Sequence, residues 1–404
     1  MICLKRVVVT GLGAVTAIGN NVNEFWNNLI DGKSGFSKIT RIPIENHDTV
    51  VAAECDDGFE EIARKYWGKR QLTATTKGVR MALASAGEAV DDCAIDFDKC
   101  DCTRIGTIYG VTDNSNKDSE RDSQFNIILK EMPSSVTALI TMKYNLHGAC
   151  FSVSSACASS GYAVSIAAQL IECGMYDAMI VGGLSGVVTH DQLNGFNQIL
   201  AMSTNPDPET ACRPFTKNRD GFVMGEGAAT LVLESEDFAK RRNAKIYCEL
   251  AGYGMYSEAS NITAPLANGE GMRIVMEKAI FKSGLSSDEI DCINAHGTST
   301  RINDSYETMA IKNLFGEEAY SIPISSIKSS VGHTLAAASA IEAVASVKTI
   351  ETGIIPPTIH YDEPDDGLDL DYVPNKARHQ NVNTVLSNSF GFGGQDISLI
   401  FKKY

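Results

Sequence analysis

Residues 151–171 read F-S-V-S-S-A-C-A-S-S-G-Y-A-V-S-I-A-A-Q-L-I. A short strand-like run passes through small residues around a lone cysteine, Cys157, into an apolar helical pattern over 159–172. Residues 322–350 repeat that order: I-P-I-S-S-I-K-S-S-V-G-H, then an Ala-rich helical pattern over 335–349. Two strand–turn–helix units of one kind predict a duplicated α/β fold, with halves over residues 1–240 and 241–404 that meet near 236–245. A helix apolar all round belongs in the interior, so the two helices should pack against each other in the middle of the molecule.

Further strands are expected where Val- and Ile-rich runs recur, at 6–9, 105–109, 178–181, 230–233, 246–250, 384–386 and 397–401. Several are apolar on both faces, as strands covered by helices on both sides must be. Helical patterns lie between them, at 78–90, 271–283 and 304–314. The polar stretch 112–124 reads as a surface or partner-facing excursion. G-L-G at 11–13 follows a strand, but Thr16 stands where a dinucleotide fingerprint needs its third glycine, and G-E-G at 225–227 lacks the lysine of a phosphate loop.

The 404 residues carry a net charge of −15. An acidic chain argues against nucleic acid as the main partner. The densest basic cluster is R-K-Y-W-G-K-R at 64–70, which is either a solvated helix face or a local patch for an acidic partner. Eleven cysteines are scattered without a C-x-x-C, so neither a zinc site nor a disulfide framework is expected. The opening M-I-C-L-K-R-V-V-V reads as a buried strand rather than a signal peptide. No run is long enough to span a membrane, and a cytoplasmic location is expected.

Cys157 opens a helix, where unpaired N–H groups and the helix dipole favour S⁻ over S–H; the expectation is a nucleophilic thiolate with room for an acyl group. Two of the seven histidines stand beside glycine at strand ends: His296 in N-A-H-G-T-S-T and His333 in K-S-S-V-G-H-T. One cysteine and two imidazoles fit either a Cys–His hydrolase pair or acyl transfer to Cys157 followed by carbon–carbon bond formation, with both imidazoles on one developing enolate. Lys328 and Glu342 flank His333 and are candidates for a buried ion pair. Phe390 and Phe392 sit among glycines in S-N-S-F-G-F-G-G (387–394), a backbone suited to gating a pocket and to offering N–H groups to an oxyanion.

Taken together, S-S-A-C-A-S-S-G, H-G-T-S-T, K-S-S-V-G-H and N-S-F-G-F-G-G, in that order, with R-P-F-T-K-N-R-D-G-F-V-M-G-E-G at 213–227, closely resemble the elongating β-ketoacyl-acyl carrier protein synthases. The resemblance runs over essentially the whole chain. It implies the thiolase fold, two similar halves layered α-β-α-β-α, in a dimer. It implies Cys157 as acyl acceptor, His296 and His333 as the pair that promotes malonyl decarboxylation, and Lys328 and Glu342 as their charged support. It further implies Phe392 as the gate, the N–H groups of Cys157 and Phe392 as the oxyanion hole, and Thr298 and Thr300 as contacts of the phosphopantetheine arm. No metal or organic cofactor is implied, and the partner is an acidic acyl carrier protein.

The chain departs from the housekeeping pattern in places. The stretch from Gly110 to Cys157 is short, Asp113 falls near an apolar tunnel-floor position, and Gln395-Asp396 replaces a Thr-Asn or His-Asn pair. The 303–308 and 325–329 segments lean toward type II polyketide and polyene ketosynthases. That reading implies an active subunit able to pair with a cysteine-less chain-length-factor-like subunit; fatty-acid elongation by a homodimer is the alternative. A thiolase would want a second reactive cysteine near 387–394, which is absent there.

Overall fold

The computed structural model describes residues 4–112, 127–186 and 188–404. Ten strands make the main sheet: β1 (Val7–Thr16), β2 (Ile105–Gly110), β3 (Cys150–Val153), β4 (Ala178–Ser185), β5 (Gly227–Ser235), β6 (Cys248–Ser257), β7 (Cys292–Asn294), β8 (Ile324–Ser325), β9 (Thr384–Gly391) and β10 (Gln395–Lys402). Their order is β8-β7-β9-β10-β6-β1-β5-β4-β2-β3. The first half thus reads 3-2-4-5-1 from its edge inward, and the second reads 8-7-9-10-6. Each strand of the second half occupies the place of the strand five earlier, and the halves join where β1 pairs antiparallel with β6.

Helices fill three layers. α1 (Lys77–Cys93) covers the outer face of the first half against β1, β4 and β5. α2 (Ser159–Glu172) and α3 (His190–Gln198) follow β3 and β4 respectively. On the outer face of the second half, α4 (Glu270–Ser283) packs on β6 and β10, and α5 (Arg301–Phe315) packs on α4. α6 (Ala338–Thr352), buried on almost every face, lies with α2 between the two half-sheets and touches it. The repeated strand–turn–helix units therefore supply the central layer, as an all-round apolar pattern requires. No described helix is long and apolar enough to cross a membrane.

β1 runs on to Thr16, well past the expected 6–9, through the G-L-G segment. A Cβ at Gly11 would lie 2.3 Å from the Ala89 carbonyl oxygen, and one at Gly13 would lie 1.9 Å from that of Ser85. These glycines let α1 lie directly on the strand backbone; they do not form a phosphate loop. Glu226 of G-E-G is likewise structural: it is buried against Lys77 at 2.5 Å.

Candidate active site

Cys157 sits in the tight turn between β3 and α2. Ala156 before it has φ +47°, a left-handed conformation that costs an alanine energy and persists only where the surroundings enforce it. Ser159 enforces it here: its Oγ accepts the Ser155 N–H at 2.8 Å and donates to the Ala156 carbonyl at 2.6 Å. The turn aims Sγ away from the strand, toward the second half.

The two histidines arrive from that second half. His333 follows Gly332 (φ +72°) and is pinned by its own N–H to the Val223 carbonyl at 2.7 Å. Its Nε2 lies 3.0 Å from Cys157 Sγ. His296 ends the loop after β7, with Gly297 (φ +39°) so close to Ser326 that a Cβ would lie 2.6 Å from that residue's Cβ. Both carboxylate oxygens of Glu307, on α5, accept amides of this loop, from His296 and Gly297, each at 2.8 Å. The imidazoles meet edge to face at 5.4 Å, backed by Phe222 on His333 and Phe390 on His296.

Lys328 Nζ lies 3.3 Å from His296 Nδ1 and pairs with Glu342. A lysine ammonium only donates; Nδ1 is then the acceptor and the His296 ring proton lies on Nε2. Glu342 in turn accepts from Ser389 Oγ at 2.9 Å, and Ser389 accepts from Ser339 at 2.8 Å. The pair is wholly buried and fully hydrogen-bonded, as a buried pair must be to persist.

Burial corrects the expected thiolate. Desolvation pushes the Cys157 thiol up to about 11, against the opposing pull of Lys328 and of the amide N–H groups of Phe392 and of Cys157 itself, both of which reach the sulfur. Burial, reinforced by Lys328, holds both imidazoles well below their usual range. The resting centre is a neutral thiol beside two neutral imidazoles, because the sulfur is buried at the cavity wall and the helix end alone does not offset that desolvation. Sγ and the imidazole nitrogens lie within 4.8 Å of one another, a spacing able to hold a metal ion, although Lys328 sets a positive charge against that cluster.

These groups close one end of a cavity of about 350 Å³, whose walls also include Thr298, Thr300, Phe196, Phe390 and Phe392. The two threonine hydroxyls lie 2.9 Å apart. Phe390 is buried on His296, whereas Phe392 is 37 % exposed at the mouth and faces Phe196 of α3 at 6.5 Å. Cys157, His296, His333, Lys328, Glu342, Thr298, Thr300, Phe390 and Phe392 are thus gathered at one place. Asp113 lies outside the described residues, as does most of the 112–124 excursion. Glu307, Ser389 and Phe222 escaped the sequence reading; a carboxylate on the inner face of the 304–314 helical pattern was the one available hint.

A buried Cys–His–His centre whose second imidazole is backed by lysine, set between duplicated α/β halves, defines the class of carbon–carbon-condensing acyl enzymes. Residues 4–239 match Beta-ketoacyl synthase, N-terminal domain, and residues 247–362 match Beta-ketoacyl synthase, C-terminal domain. The chain belongs to the β-ketoacyl synthase family. It is 38 % identical to a 3-oxoacyl-[acyl-carrier-protein] synthase 2 of Coxiella burnetii and 39 % identical to one of Staphylococcus aureus, with 99 % of both chains covered in each case. Among solved structures it resembles the ketosynthase assembly AntDE:AntF, a type II polyketide synthase complex with its acyl carrier protein (TM-score 0.89, 33 % identity, covering 99 % of this chain and 100 % of that one). It also resembles the ishigamide ketosynthase/chain length factor (TM-score 0.88, 32 % identity, with the same coverage).

Proposed function

We propose that this chain condenses an acyl group held on Cys157 with a malonyl group carried by an acyl carrier protein, releasing CO₂ and lengthening the acyl chain by two carbons. The observation that carries this reading is the 3.0 Å approach of His333 Nε2 to Cys157 Sγ, with His296 alongside and Lys328 on its far nitrogen. A hydrolase pair needs one base and an orienting carboxylate or amide; here the second imidazole is held by a cation with its Nε2–H turned outward, an oxyanion donor rather than a base.

In the loading step Sγ attacks the acyl thioester carbonyl and its proton passes to His333 Nε2. The N–H groups of Cys157 and Phe392 hold the tetrahedral oxygen, and the departing pantetheine sulfur takes the proton from His333. In the second step the malonyl carboxylate leaves as CO₂. The electron pair of the broken C–C bond becomes an enolate, whose oxygen is held by the Nε2–H of His296 and by His333 in the tautomer whose ring proton has moved from Nδ1, which has no partner to fix it, to Nε2. Its carbon then attacks the Cys157-bound carbonyl, and the released thiolate takes one proton from solvent. Incubation of the purified chain with acyl- and malonyl-carrier protein should yield the β-ketoacyl-carrier product by intact-mass analysis; acyl transfer without CO₂ release would overturn this reading.

Within that chemistry we place the chain first among type II polyketide or polyene ketosynthases, supported by its likeness to the two assemblies above. Fatty-acid elongation is the second reading, favoured by the 38–39 % identity to curated 3-oxoacyl synthases. The ten described cysteines are all free, which supports a reducing compartment such as the cytoplasm. We assign residues 1–240 and 241–404 to two thiolase-like halves, the first bearing the nucleophile and the second both histidines; the repeated strand order supports this division.

Carrier docking falls on the 64–70 segment. Arg41, Arg64, Lys65 and Arg80 face Asp57, Glu60 and Asp91; Lys69 and Arg70 have no carboxylate partner among the described residues. A Lys69→Glu/Arg70→Glu variant should raise KM about tenfold for carrier-borne substrate at low salt. KM for a small pantetheine thioester should stay unchanged, and equal KM shifts for both substrates would dismiss this docking site.

Dimerisation falls on β3, the exposed edge of the main sheet, where Phe151 is 38 % exposed and Met142 nearby is 66 % exposed. An apolar open edge is a pairing site. Phe151→Asp should convert a sedimenting dimer to monomer; a dimer that persists in that variant would move the interface elsewhere. A co-purifying partner of nearly equal size without the cysteine would make it a heterodimer.

A further inference from the structure

Asp396 and Glu258 face each other on the cavity wall, outside the reacting groups. Asp396 is the second residue of β10, paired across the sheet with Phe390 of β9 on one side and Tyr256 of β6 on the other. Glu258 follows the end of β6, and its N–H donates to the Gly394 carbonyl at 2.9 Å. The two side chains are 2 % and 7 % exposed. Glu258 Oε2 accepts the Leu266 N–H at 2.7 Å; Glu258 Oε1 and Asp396 Oδ2 have no donor among the described residues. The carboxyl groups are nevertheless within hydrogen-bond reach of each other.

Two buried acceptors in contact are tolerable only if one carries a proton and donates it to the other. The surroundings offer no alternative. Tyr162 of α2 spends its hydroxyl on the Tyr256 carbonyl. The Glu270 and Arg273 side chains of α4 pair with each other. Tyr256, Asp220, Arg301 and the reacting Cys157, His296 and His333 complete the titratable groups along this cavity, and none donates to either free oxygen. Gly271 of α4 closes the remaining space, since a Cβ there would lie 2.1 Å from Glu258 Oε1.

We propose that Asp396 and Glu258 are positioning residues that share one proton and so latch the Gly391–Gly394 loop, which carries the Phe392 N–H, over Cys157. The Asp396 carboxyl receives the Gly391 N–H; Glu258 takes the Gly394 carbonyl through its backbone N–H, and its side chain packs on Gly394 so closely that a Cβ there would lie 2.6 Å from Glu258 Cβ, so the two residues meet both ends of that loop. The latch deepens the ketosynthase reading by assigning it a control of loop closure, but the proton sharing itself rests only on the buried pair. Desolvation, and then the neighbouring Glu258, raise Asp396 from an ordinary 3.8 to about 8. In the open loop, where water reaches the pair, that rise is lost. Closure therefore binds a proton that opening releases, and it weakens steadily as pH climbs from about 4 toward 8, then levels off; one proton allows about tenfold per pH unit at most.

Hydrogen exchange of the Gly393, Gly394 and Glu258 amides, corrected for intrinsic base catalysis, tests this on the full chain. Protection should fall about tenfold or more between pH 6 and pH 8 and stay level above. In Asp396→Asn, whose amide donates to Glu258 without titrating, it should change less than about twofold over that range; Glu258→Gln should do the same and covers the case in which the first variant misfolds. Protection in the unsubstituted chain that is flat from pH 6 to 9 overturns the latch, as does the same decline in both amide variants. Acyl transfer to Cys157, followed in parallel, separates the claims. A pH-dependent loop in a chain without transferase activity would sink the ketosynthase reading alone, and an active chain with a pH-independent loop would sink the latch alone.

Discussion

A Cys157→Ala chain is expected to take up no acyl group and to form no condensation product, with a loss of at least about a thousandfold, of the size seen when a catalytic nucleophile is removed. The fold should survive, because alanine keeps Cβ and the turn is closed by Ser159 rather than by sulfur. Intact-mass analysis after incubation with acyl-carrier protein reads the first part, and a thermal unfolding scan reads the second. An acylated variant would move the nucleophile to another cysteine. Of the others described, Cys150 and Cys173 are exposed, and neither lines the cavity that holds both imidazoles. Decarboxylation of malonyl-carrier protein should survive in the variant, since that step draws on the histidines and leaves the sulfur aside.

His296→Ala is expected to do the reverse. Its Nε2–H is the donor fixed by Lys328, and removing one such preorganised donor from a dry site costs about 10²–10³ in rate. CO₂ release from labelled malonyl-carrier protein should fall by that factor, while acyl loading falls less than about tenfold, because the base beside the sulfur is His333. Equal loss of both steps would mean that His296 supports the sulfur as well. The 3.0 Å contact of His333 with Sγ also alters a symmetric expectation for the two rings: replacing His333 should impair loading and decarboxylation together.

The architecture and the reacting groups were legible because each is written locally. A strand, small residues and an all-apolar helix name a central layer in any window where they occur, and they occur twice. Cys157, His296 and His333 each stand at a turn marked by glycine or small residues. Glu307 and Ser389 were less legible, since their roles depend on which distant backbone they meet: Glu307 matters because α5 brings it under the His296 loop. The basic run at 64–70 was legible only in part: Arg64 and Lys65 are answered by Glu60 and Asp91, which leaves Lys69 and Arg70 as its unpaired cations among the described residues. Ionisation was the least legible property. A helix start beside cysteine favours the anion, and only the three-dimensional enclosure of the sulfur shows that desolvation outweighs it.

That enclosure has a consequence for survival in the cell. Peroxides and electrophilic metabolites attack sulfur in its anionic form, and a centre that stays uncharged until an acyl thioester lies beside it presents them with a poor target. Reactivity of this kind is conditional: it is switched on by cargo, so an idle molecule can wait between turnovers without being consumed by its own chemistry.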